Sequence, residues 1–210
     1  MVAIDPITVY SLLAVLCLLA VAYVASLAFL PRSAPRADKL AFCWYAFDAL
    51  THFILEGSFV YLSTFGRSVA TSENAFAELW KEYGKADARW LYADPTVVSL
   101  EILTVGFCGP LCVYLLYALA ARRPERHYWQ IVLCTAEIYG GWMTFCPEWI
   151  TGSKYLDTSN PLFLWVYLLF FNGLWVVIPF ALMVQSFGIL VEGAALVEAQ
   201  RGETEEKKMQ

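Results

Sequence analysis

From Ile7 to Pro31 the chain runs without a single charged side chain. A bilayer core about 30 Å thick is crossed by about 20 apolar residues in a helix, so this run predicts a membrane-spanning helix. It exceeds the roughly 7–15-residue core of a secretory signal, and no basic segment precedes it. The small residues of Val21–Ser26 leave a cleaved signal as the alternative reading. Four further apolar runs follow, at about Leu40–Phe65, Pro95–Ala121, His127–Trp149 and Pro161–Val191, separated by polar joints at Arg32–Lys39, Arg122–Arg126 and Thr151–Asn160. Composition agrees: 60% of the 210 residues are apolar and 16% charged, against roughly 45–50% and about 25% in soluble domains.

Ser72–Asp94 differs in kind. Phe76, Leu79, Trp80 and Tyr83 recur at helical spacing, with Lys81, Glu82, Lys85 and Asp87 between them. That pattern predicts an amphipathic helix lying on a surface, either a plain connector or a lid. The expected fold class is therefore an all-α integral membrane protein of five transmembrane helices, with a short luminal amphipathic helix between the second and third. Three units follow: residues 1–39 as an N-terminal span and cytosolic loop, 40–191 as a four-helix membrane domain, and 192–210 as a charged tail unable to build a core. With five spans, nine of the fourteen cations fall on the side of Arg32–Lys39, Arg122–Arg126 and the C-terminus. The positive-inside rule then puts the C-terminus in the cytosol, and the Lys207–Lys208 pair fits retention in the endoplasmic reticulum. A net charge of −5 without a basic stripe argues against nucleic acid as a partner. The six cysteines lie in apolar runs without a CxxC and read as small buried hydrophobes.

Ionisable groups inside a membrane are costly and mark function by default. Here they are Asp48, His52 and Glu56 in the second span, Glu101 in the third and Glu137 in the fourth, with no Lys or Arg in any span. Apart from His52, the carboxylates have no basic partner. Asp48, His52 and Glu56 recur every four residues and share a helix face. Glu101 and Thr104 are three apart, as are Asn172 and Trp175. At about 1.5 Å per residue, Glu56 and Asn172 lie roughly 15 Å from the luminal ends of their spans, and Glu101 roughly 9 Å. Three polar pairs from three helices can therefore meet in one pocket.

Such a pocket suits proton donation and abstraction, and an indole face beside carboxylates would stabilise a cation. No nucleophile or cofactor motif accompanies it, and no cofactor is expected. A single imidazole without HExxH gives no zinc signature, so no metal is assigned. Each residue also has a structural reading: His52 and Asn172 as interhelical hydrogen-bonding groups, Glu56 and Glu101 as protonated structural acids, Trp175 as packing, and Glu137 as either pocket wall or interhelical bond.

The segments Thr51–Gly57 (THFILEG), Leu79–Arg89 (LWKEYGKADAR), Glu101 with Thr104 ahead of Gly109-Pro110-Leu111, Glu137–Gly140 (EIYG) and Asn172–Trp175 (NGLW) resemble, in order, the emopamil-binding protein family of sterol Δ8–Δ7 isomerases. The resemblance spans about residues 40–180. It implies a five-helix protein of the endoplasmic reticulum, a homodimer, that moves a sterol ring double bond through a carbocation. On this reading His52, Glu56 and Glu101 handle protons. Thr104, Asn172 and Trp175 match the family's pocket residues, Trp175 as the cation-facing ring; Asp48, Glu137 and Tyr139 are further candidate substrate contacts, and cationic amphiphilic amines are expected to inhibit as mimics of the cation. Asp48 and the turn Phe145–Trp149 depart from the family's pattern and leave the substrate open. The alternatives are isomerisation or cyclisation of another terpenoid, and non-catalytic lipid binding as in the sigma-2 receptor branch of the superfamily.

Overall fold

The computed structural model describes residues 5–209, so Met1–Ile4 of the N-terminal unit and Gln210 of the tail lie outside it. Among the described residues the chain is helical throughout, without a strand. Three helices are long and apolar enough to cross a membrane: α1 (Pro6–Phe29), α4 (Pro95–Ala120) and α6 (Leu162–Met209). Between them come α2, continuous through Arg36–Leu50, Thr51–Glu56 and Gly57–Leu62, the short α3 (Ala75–Gly84), and α5 (Arg126–Ile150).

Helix starts follow from local chemistry. Asp5 caps α1 by accepting from the Ile7 amide at 3.0 Å ahead of Pro6. Asn74 caps α3 through Ala77 N, and Asp94 caps α4 through Thr96 N and Val97 N, again ahead of a proline. These side chains satisfy amides that have no partner within the helix.

α2 is the central element. Ala41, Phe42 and Trp44–Ala49 are all buried, packing with Ala22 of α1, Cys108, Leu111, Cys112 and Leu115 of α4, and Leu133 of α5. α1, by contrast, buries only Thr8, Ala22 and Ser26; its exposed Leu13, Leu16 and Leu27 suit a lipid surround. α6 departs from the expected boundary at residue 191. It continues as helix to Met209, every residue from Phe187 onward exposed. The tail builds no core, but Glu, Ala, Gln and Lys are good helix formers and prolong the helix already nucleated. The divergent Phe145–Trp149 segment is likewise the last helical turn of α5.

Three stretches are wound more widely than an α-helix: Thr51–Glu56, Thr104–Cys108 and Leu162–Phe171. Gly57 N–H donates to His52 C=O, and Gly109 N–H to Thr104 C=O, five residues back in each case. Such turns are rare and recur at functional sites. The first two abut at Gly109, where a Cβ would stand 2.9 Å from Phe53 Cζ and 3.4 Å from His52 Cβ. Glycine is what lets α2 and α4 approach this closely.

α3 closes one end of the bundle as a roof. Trp80 stacks on Trp90 at 4.7 Å and 6°, with Phe59 of α2 against both rings. One group of its polar side, Glu82, is also buried, unlike in a helix merely lying on a surface. Glu82 accepts from Thr8 of α1 at 2.6 Å and Tyr167 of α6 at 2.8 Å, and pairs with Lys85. Below the roof, Arg89 is clamped on Asp87 at 2.6 Å and donates to Thr144 C=O of α5 at 2.7 Å, with Glu148 3.9 Å away.

Candidate functional site

Beneath the roof lies a cleft enclosing about 1220 Å³ including its open mouth. Ser11 and Val15 of α1, Leu79 and Tyr83 of α3, Leu100 of α4, Gly140 and Gly141 of α5, and Phe171 of α6 form mostly apolar walls. The polar lining is concentrated: His52, Glu56, Glu101, Thr104, Glu137, Asn172 and Trp175 all face this space.

The two wide turns build its core. His52 Nδ1 lies 2.5 Å from Glu56 Oε2, and Thr104 Oγ1 lies 2.5 Å from the same oxygen. Thr104 Oγ1 is also 3.1 Å from Glu101 Oε2. A hydroxyl has one proton to give, so Thr104 donates to one carboxylate and can accept from the other if that group is protonated. Glu56, Thr104 and Glu101 thus form a short proton-sharing chain ending on an imidazole. Its members are largely buried, Glu101 9% and His52 1% exposed.

On the other side of His52, Nε2 lies 3.1 Å from Asp48 Oδ1 but is not aligned as a hydrogen bond. Asp48, wholly buried, accepts from Trp175 Nε1 at 2.8 Å and from Cys112 Sγ at 3.1 Å. It therefore stands behind His52 and holds the Trp175 indole instead of lining the cleft as a substrate contact. Asp48, His52 and Cys112 offer three metal-ligand types within 4.8 Å of one another. The Asp48 oxygens are taken up by Cys112 and Trp175 and His52 Nδ1 by Glu56, which leaves His52 Nε2 without a hydrogen bond.

Tyr139 needs correction as a substrate contact. Two residues from Glu137 is about 200° around an α-helix at 3.6 residues per turn, and the ring points away, 56% exposed. Asn172 lines the cleft, but its amide is aimed at Tyr167 C=O and Leu168 C=O, at the end of the third wide turn, and at Tyr83 OH of the roof, 3.0 Å away.

Residues of the roof were missed as site groups in the sequence reading. Glu82, Tyr83 and Trp90 all face the cleft; Lys85, one turn after Glu82, was the available signal. Burial works to raise the Glu82 pKa, but hydrogen bonds from Lys85, Thr8 and Tyr167 outweigh it and hold the carboxyl below its ordinary value. The same bond to Glu82 raises the Lys85 ammonium above its ordinary value against partial burial.

Residues 75–186 match the family model described as EXPERA, the expanded EBP superfamily. The chain is 33% identical to a rice (Oryza sativa subsp. japonica) protein named "Probable 3-beta-hydroxysteroid-Delta(8),Delta(7)-isomerase", over 74% of this chain and 69% of that protein. It is 32% identical to the guinea-pig (Cavia porcellus) 3-beta-hydroxysteroid-Delta(8),Delta(7)-isomerase, over 70% of this chain and 63% of the relative. It is also 29% identical to an isomeliandiol synthase of Melia azedarach, over 71% of this chain and 68% of the relative.

Proposed function

The chain belongs to the EXPERA superfamily, and from that premise we propose that it is an intramembrane isomerase that moves a steroid ring double bond from Δ8 to Δ7. The observation that carries this is the Glu56–Thr104–Glu101 chain, ending on His52, set into the wall of an apolar cleft. The relatives named as steroid isomerases supply the substrate class.

The reaction needs one proton given and one taken. Protonation at C9 of a C8=C9 bond leaves the cation at C8; loss of a proton from C7 then forms C7=C8. Glu56 and Glu101, coupled through Thr104 at the cleft wall, can take up and hold such a proton, with His52 balancing charge. The developing cation is stabilised by fixed carboxylates in a dry site and by the Trp175 ring, which Asp48 anchors through its N–H. Substrate enters from lipid, and a cationic amphiphilic amine would occupy the same cleft as a mimic of the cation.

On the same reading α2 and α5 cross the bilayer with α1, α4 and α6. This five-span arrangement puts the roof on the luminal side of the endoplasmic reticulum and the C-terminus in the cytosol. Residues 40–191 then form the catalytic unit, as a homodimer with a second copy. Likeness to an isomeliandiol synthase favours one second reading, isomerisation of another terpenoid by the same acid chemistry.

The deciding experiment is complementation of cells lacking Δ8–Δ7 isomerase, with sterols analysed after growth in deuterated water. Deuterium-labelled Δ7-sterol is expected. Accumulated Δ8-sterol despite good expression would refute the steroid substrate, and conversion of a different terpenoid would then select the second reading.

A further inference from the structure

Apart from Glu82, which is tied to Lys85, Glu137 is the acid of the cleft that the mechanism above leaves unused. It is 5% exposed and faces the cavity, yet neither of its oxygens receives a hydrogen bond from the protein. Its neighbours are the Asp48 carboxylate and Trp44, whose Nε1 is also buried without a bonded acceptor. Asp48 already accepts from Trp175 and Cys112 and lies against His52. It is the better hydrogen-bonded member of the pair and so the charged one. A second bare carboxylate beside it, in a site with a single imidazole, would carry an uncompensated buried charge. The proton of the pair therefore belongs on Glu137, at the cavity wall.

His52 consequently sits between two carboxyl pairs, Nδ1 toward Glu56 and Nε2 toward Asp48.

We propose that Glu137 is the proton donor of the cleft, sharing its proton with Asp48 and refilled through His52 from the Glu56–Thr104–Glu101 group. This rests on the isomerase reading for the identity of the acceptor. In the step, the Glu137 O–H bond breaks and a C–H bond forms at one alkene carbon. The Glu56–Glu101 pair then takes a proton from the carbon on the far side of the cation, whose C–H electrons become the new double bond. The proton returns by way of His52 and Asp48, so the cycle closes with no net gain or loss.

The test uses the full chain in lipid nanodiscs, as wild type, Glu137→Gln and Asp48→Asn. Infrared difference spectra in H2O and D2O should show a protonated-carboxyl C=O band that disappears in Glu137→Gln and shifts in Asp48→Asn. An unchanged band in Glu137→Gln would show that Glu137 holds no proton and overturn the proposal. With a Δ8-unsaturated 3β-hydroxysteroid, Glu137→Gln should lower kcat about 100-fold, the low end for a positioned proton-transfer group, with KM little changed. A raised KM at unchanged kcat would make Glu137 a mere binding contact and equally overturn it. If wild type converts no such steroid, the isomerase reading falls and the donor role with it. The infrared band, which needs no substrate, still decides where the proton sits. Should Glu137→Gln fail to fold, a band in wild type that does not move in Asp48→Asn refutes the shared proton.

Discussion

Two groups of buried carboxylates, one at the roof and one in the bundle beneath it, are compensated in opposite ways. At the roof every buried acid touches a cation: Glu82 is met by Lys85 together with Thr8 and Tyr167, and Asp87 and Glu148 share Arg89. In the bundle, Asp48, Glu56, Glu101 and Glu137 have one imidazole among them, with a threonine, a thiol and an indole. Buried charge that is paired and hydrogen-bonded ties elements together. Buried acid in excess of cation must hold protons, and a group holding a proton beside an open cavity can give it away. The first arrangement is structural and the second chemical, so the same kind of substitution should do opposite things in the two places.

The largest effect is expected where charge is in excess. Glu56→Gln or Glu101→Gln should cut isomerase turnover by about 100- to 10,000-fold while leaving thermal stability unchanged or raised, because each removes one acid from a cluster in which four acids share a single imidazole. Steady-state kinetics beside a melting curve checks this. A variant that loses stability but keeps its rate would erase the distinction between the two clusters.

The mirror experiment is Arg89→Met. The side chain is 3% exposed, and its loss strands Asp87 and Glu148; breaking a buried pair costs about 3–5 kcal/mol. Unfolding should be much easier, and α3 should exchange its amides faster. Adding Asp87→Asn and Glu148→Gln should recover much of the loss. A single variant as stable as wild type would mean that the aromatic stack of Trp80, Trp90 and Phe59 carries the roof alone.

Much of this contrast was legible in the sequence, but unevenly. His52 and Glu56 one turn apart, Glu101 and Thr104 at i,i+3, and the absence of Lys and Arg from the apolar runs announced the acidic pocket. The roof's compensation was not visible, since Arg89 looks like any loop cation until the fold buries it against Asp87. Asp48 was read as a wall residue because its helix face is shared with His52. Only the long-range contact to Trp175 shows that it stands behind. Tyr139 was carried along by its neighbour Glu137, though two residues along a helix turn the side chain to the far side. The wide turns left no signature either: a hydrogen bond five residues back instead of four changes no residue type. Yet they are what bring Glu56 and Thr104 into contact.

That contact gives a smaller, sharper test. Gly109→Ala would put a methyl 2.9 Å from Phe53 Cζ and near His52 Cβ, so that either the Phe53 ring or the seam of α2 and α4 must shift. Overpacking of this kind costs about 1–3 kcal/mol, and turnover should fall although no ionisable group has changed. Unaltered kcat would mean that the proton chain tolerates a shift of its two helices.

The mildest effect should come from acid titration of the roof. Glu82 holds α3 to α1 and α6, and its bonds from Lys85, Thr8 and Tyr167 depress its carboxyl below the ordinary value of 4.5. A carboxylate depressed in the folded state stabilises it fully above the unfolded value and loses that contribution as pH falls through the folded value. Roof anchoring should therefore be constant from neutrality down to about pH 5 and weaken only below the ordinary carboxylate range. Amide exchange of Ala75–Gly84, followed against pH, should show this, and Glu82→Gln should flatten the dependence while raising exchange at neutral pH. If Glu82→Gln instead leaves the acid loosening intact, the sensitivity does not come from Glu82, and the Arg89 contacts to Asp87 and Thr144 hold the roof. The roof would then be fastened at its α5 side, and Glu82 would be free to serve the cleft it lines.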